Sequence, residues 1–142
     1  MKILIIPLVA AVIAQISKVF IKKNHQRLNW SILWTYSGMP SGHAAITSAL
    51  TTIIGLEKGI TYPGFSIALV FTLLTLRDAT GVRRQLGNQG GVINKLVDDL
   101  DDDNYLDKRY PHLTEKIGHT PKQTAAGVIL GLVIALIGYF LF

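Results

Sequence analysis

At 142 residues the chain has room for one domain, and it is read as one, spanning 1–142. Hydrophobic residues make up 49% of it, yet it carries 14 Lys and Arg against 9 Asp and Glu, a net charge of +5; apolar spans joined by charged loops account for that mixture better than a water-soluble core. The basic residues sit beside apolar runs and not on a long polar face, which favours anionic lipid headgroups over nucleic acid as partner, and the absence of cysteine excludes disulfides and thiolate metal sites.

Four segments are long and apolar enough to cross or enter a membrane, so the expected fold is all-α, an integral membrane bundle of about four helices. The first, 3–21, begins after Met1-Lys2 as a signal peptide would. Its apolar run lacks a small-x-small cleavage site and ends in Lys18, Lys22 and Lys23, so it is taken as a structural helix. Trp30, Trp34 and Tyr36 then mark an interfacial aromatic belt. A Gly-Met-Pro turn leads into Ser41, which can cap a second helix over 41–56, rich in Ser, Thr and Ala as suits a helix inside a bundle. The third segment, 60–76, is apolar until Arg77 and Asp78, and the fourth, 124–142, carries the small-residue series Ala125, Ala126, Gly127 and Gly131. The Gly127–Gly131 spacing permits close helix approach and predicts a homodimer.

The cytoplasmic connection, 77–122, is expected to be partly helical. Val82, Leu86, Ile93, Leu96, Val97 and Leu100 fall at loosely helical spacing, interrupted by Gly87, Gly90 and Gly91. They predict a helix continuing from the third span, a kink or turn, and then an amphipathic surface helix. The acidic residues Asp98, Asp99, Asp101, Asp102, Asp103 and Asp107 lack the glycine and terminal glutamate of a calcium loop and read as a solvated face. His25 and His112 lie in polar loops and read as surface residues.

Of the 14 Lys and Arg, 12 fall in 18–27 and 77–122, which places both stretches in the cytoplasm and both termini outside, in a plasma (inner) membrane. Three polar clusters then share the cytoplasmic face: Pro40-Ser41-Gly42-His43, the run from Arg77-Asp78 to Arg83-Arg84, and Gly118-His119-Thr120-Pro121-Lys122-Gln123. Two of them open helices, where free amides and the positive dipole end favour an anion. With Arg83, Arg84 and Lys18 they make a site suited to phosphoryl oxygens, and two histidines supply a nucleophile and a proton donor for a leaving alcohol. Asp78 can pair with Arg77 or orient Arg83 or Arg84.

At these residues the sequence resembles the superfamily of type 2 phosphatidic-acid phosphatases and vanadium haloperoxidases. Pro40-Ser41-Gly42-His43 looks like its second signature, and His119-Thr-Pro-Lys-Gln123, followed by Gly127 and Gly131, like the second half of its third. The order and spacing, with Asp78-Ala-Thr-Gly-Val-Arg-Arg84 between, are similar to the small divergent branch of that superfamily. The resemblance implies a PAP2-like core and metal-independent, cofactor-free hydrolysis of a lipid phosphomonoester of the phosphatidic acid or phosphatidylglycerophosphate class. In it His119 would form a phosphohistidine, and His43 would protonate the leaving oxygen and then activate water. Lys18, Ser41, the Gly42 amide, Arg83 and Arg84 would bind phosphate oxygens. Gln123 stands where that family has a carboxylate to orient the nucleophilic histidine; an amide can fix the tautomer but stabilises an imidazolium less. The alternative is a membrane protein that binds phosphate headgroups, or scaffolds partners, without turnover. A haloperoxidase is disfavoured, since those are large soluble enzymes.

Overall fold

The computed structural model describes residues 1–21, 38–100, 112–115 and 117–141. The aromatic belt, His25, and the acidic residues at 101–103 and 107 lie outside them. Five helices follow one another: α1 (Lys2–Phe20), α2 (Gly42–Lys58), α3 (Pro63–Thr80), α4 (Val82–Leu100) and α5 (Pro121–Leu141). The described residues contain no strand. Three stretches are long and apolar enough to cross a membrane: α1, α5, and the run through α3.

The second helix is the axis about which the others gather, for α1, α3 and α5 all pack on it. Its sequence explains this. Ala44, Ala45, Thr47, Ser48, Ala49, Thr51, Ile53 and Ile54 are buried on several sides, and the small ones admit close neighbours. Its hydroxyls are satisfied without water. Thr51 and Thr72 bond each other at 2.8 Å, Thr72 Oγ1 donates to Thr47 O at 3.0 Å, and Ser48 Oγ to Ala44 O at 2.6 Å. A helix of 17 residues spans about 26 Å, close to the hydrocarbon thickness.

The flanking helices turn stripes of small residues toward α2 and large aliphatics outward. On α1 the stripe is Ile6, Ala10, Ala14 and Lys18; on α5 it is Thr124, Gly127, Gly131, Ala135 and Gly138. A Cβ on Gly127 would run into Ser41 O, and one on Gly131 into Ser48 Oγ and Ala45 O. These two glycines are consumed by packing within the chain, so the homodimer loses the observation on which it rested. The outward faces, Leu8, Val12, Leu73, Leu74, Val133 and Leu136 among them, are exposed as lipid-facing residues should be. At one end of the bundle Lys2 pairs with Glu57 at 3.1 Å and sits 5.5 Å over the Tyr139 ring. The start of α1 and the end of α5 both lie there, because Gly138 packs on Ile6.

The expected interruption at Gly87, Gly90 and Gly91 does not occur: α4 runs through all three. The break comes earlier, at Gly81. There Gly81 N still bonds Arg77 O at 2.8 Å, but among the described residues the amides of Val82, Arg83 and Arg84 make no bond back to α3. The glycines serve instead as a seat, for their missing side chains let 113–115 and Ile117 lie against α4. Asn94, buried beside them, clamps that segment: Nδ2 donates to Leu113 O and Glu115 Oε1, both at 2.9 Å, and Oδ1 accepts from Leu113 N at 2.8 Å. His112, exposed, pairs with Asp98 at 3.3 Å.

Candidate phosphate-binding site

The end of the bundle opposite the termini gathers the C-terminal turn of α1, the N-termini of α2 and α5, and the α3–α4 junction. Each is there for a local reason. Ser41 caps α2, its Oγ accepting from Ala44 N at 3.4 Å, while its own amide donates to Gln123 O at 3.0 Å. That second bond locks the two helix N-termini side by side. Helix geometry then leaves the amides of Gly42 and His43 without intrahelical acceptors. The return segment arrives through Gly118, whose φ of +88° and contact with the Arg83–Arg84 backbone both exclude a side chain. His119 N then donates to Ala79 O at 2.9 Å, which ties the histidine to the end of α3.

His119 is 4% exposed, and neither ring nitrogen has a hydrogen-bond partner among the described residues. An imidazole so placed is poised for something not yet bound. Burial first, then the charges of Lys18, His43 and Arg83, push its pKa down to about 4, so the ring is neutral at pH 7. Lys18, His43 and Arg83 thus lie close enough for their charges to act on it. Lys18 is 1% exposed at the last turn of α1. A lysine sequestered at a membrane helix end brings a buried positive charge beside a neutral histidine, which favours an anion there.

His43 is exposed at the mouth, where Arg83, Lys18 and Asp78 act on it. Asp78 bonds Arg83 Nε, so of the partners open to it the structure selects Arg83. Arg84 is exposed; it joins the group through its backbone, against Gly118, and its charge is not among those acting on either histidine. Gln123 does not meet the His119 ring. Its Oε1 accepts from Thr120 N at 2.8 Å and its amide donates to Thr120 Oγ1 at 3.3 Å, a reciprocal capping box that starts α5. The orienting role that the resemblance implied for Gln123 finds no hydrogen bond to the ring here, because both of these bonds go to Thr120.

Two further residues belong here. Thr124 is 6% exposed with an unbonded Oγ1, on the α5 stripe that faces α1 and α2. Gln15 lies against Gly42, where a Cβ would stand 3.7 Å from its amide. The signal for Thr124 was present, since a hydroxyl heading the Gly127–Gly131 stripe must share its burial. Among the described residues no group of three or more His, Asp or Glu could hold a metal ion.

Comparisons with known proteins bear on the family of the chain. No solved structure matches the chain. A membrane protein of Bacillus subtilis (strain 168), "Uncharacterized membrane protein YuiD", is 38% identical over 144 residues, covering 94% of this chain and 91% of that one. The model of the family described as "Divergent PAP2 family" matches residues 1–134. On that match, and on a relative aligned along nearly the whole length, the chain belongs to the divergent PAP2 family.

Proposed function

We propose that the chain is a lipid-phosphate phosphatase of the cytoplasmic leaflet, hydrolysing a phosphomonoester of the phosphatidic acid or phosphatidylglycerophosphate class. The observation that carries this reading is the buried, neutral His119 with two unbonded ring nitrogens, set beside two helix N-termini and the charges of Lys18 and Arg83. The phosphoryl oxygens take the amides of Gly42 and His43, the Ser41 and Thr124 hydroxyls, and those two cations. A ring nitrogen of His119 attacks phosphorus as the ester P–O bond breaks. Protonated His43, at the mouth, delivers its proton to the departing alcohol oxygen. Neutral His43 then accepts a proton from water as that water attacks the phosphohistidine, returning His119 and releasing inorganic phosphate.

The second reading, headgroup binding without turnover, draws on the capping box. With Gln123 committed to Thr120, no side chain among the described residues hydrogen-bonds the His119 ring to fix its tautomer or stabilise its charged form. Phosphate release from vesicles containing each lipid phosphate separates the two. Activity lost by at least about 10³-fold in His119→Ala and about 10²-fold in His43→Ala supports catalysis. Vanadate binding that survives while no substrate releases phosphate supports the second reading.

A further inference from the structure

Beyond Gly81 the chain presents a surface the bundle does not use. Val82, Leu86, Ile93, Leu96 and Leu100 of α4 are all exposed. At 3.6 residues per turn they fall, with half-buried Val97, in an arc of about 100° broken only by Gln89. The neighbouring arc, Gly87, Gly90, Gly91 and Asn94, is covered by the return segment. One face of α4 therefore serves the protein and the other is apolar and open.

We propose that α4 lies along the bilayer surface at the site end, with this stripe sunk into the boundary between headgroups and acyl chains. Three observations name the bilayer as occupant. The run Pro63–Leu100 contains a stretch apolar enough to span, α3 ends within it at Thr80, and the backbone ladder is interrupted at Gly81. A helix starting one residue beyond a span begins at headgroup depth, so the bilayer is the nearest apolar surface to a stripe that starts at Val82. Arg84 and Lys95, exposed on the far side of α4 from the stripe, would face water above the headgroups with the stripe sunk, where their charges suit an anionic surface. Because the adjoining face clamps the segment that leads to His119, docking of α4 would also fix the depth of that histidine relative to the headgroups.

The chain has no cysteine, so single ones can be introduced and labelled with an environment-sensitive fluorophore. Leu86→Cys, Ile93→Cys and Leu96→Cys probe the stripe, and Asn88→Cys and Lys95→Cys the exposed opposite side. The full chain is reconstituted in phosphatidylcholine vesicles containing phosphatidylglycerol. The expected result is iodide quenching about fivefold weaker at 86, 93 and 96 than at 88 and 95, with the order reversed for a lipid-borne quencher. Equal iodide quenching at all five positions overturns the proposal. So do disulfides between chains at 93 or 96 that account for the shielding, since they name a second copy as the occupant.

Discussion

His119 combines burial, neutrality and unfilled bonding capacity, and each has a measurable consequence. Its pKa, about 4 in the folded chain against the ordinary 6.5, means that the unfolded state takes up the proton first. Stability is therefore full above pH 6.5 and declines as pH falls toward 4. Nitrogen-15 histidine spectra of the protein in micelles should place the titration midpoint near 4. Lys18→Met, which keeps the volume but removes the larger of the neighbouring charges, should raise that midpoint; inorganic vanadate should raise it as well, since an anion favours the imidazolium. A midpoint unmoved by either would separate Lys18 and the anion from this histidine. Gln123 makes a contrasting prediction. Gln123→Ala removes half of a capping box and should lower thermal stability by about 1 kcal/mol. Gln123→Glu should preserve or raise it, with a carboxylate at a helix N-terminus, yet leave phosphate release unimproved. A large gain in turnover from the glutamate would show that this side chain does reach the His119 ring.

Among the elements, α4 and the segment 112–118 behave as one unit. Asn94 gives that unit its only side-chain clamp on Leu113 among the described residues. Asn94→Ala strands a peptide amide and should cost about 1–3 kcal/mol. The loss should be local, with amide exchange faster over 112–119 and α2 protected as before. Uniform acceleration across the bundle would contradict it. The spans were legible in the sequence because apolar length and flanking charge report the bilayer directly; 3–21 and 124–142 correspond to α1 and α5 within a few residues. The α4 glycines were not legible. Pattern alone treats Gly87, Gly90 and Gly91 as breakers, since it registers the weak helix propensity of glycine and not the backbone that will lie against it. Gln123 was misplaced for a related reason: His-x3-Gln and Thr-x-x-Gln share the same glutamine, and the capping geometry won. The convergence of the three polar clusters was legible, because span order alone sends them to one end.

For the whole molecule, both termini sit at the end marked by Lys2, Glu57 and Tyr139, and the candidate site at the other. The distribution of Lys and Arg predicts which end is cytoplasmic. Alkaline phosphatase fused after Phe142 should be active in cells, and a cytoplasm-dependent fluorescent protein there should stay dark; the opposite result would invert the protein and move the site to the outer leaflet. The central position of α2 has another consequence, for the order of assembly. Its mean hydropathy is lower than that of α1 or α5, since Ser and Thr hydroxyls line it. A nascent chain halted after Lys58 thus offers the translocation machinery a helix with little reason to stay in lipid by itself. Thr51 and Ser48 find their outside partners only when Thr72 and Val128 have emerged. The buried axis of the protein is the helix least able to enter the membrane alone, so its insertion depends on helices synthesised on either side of it.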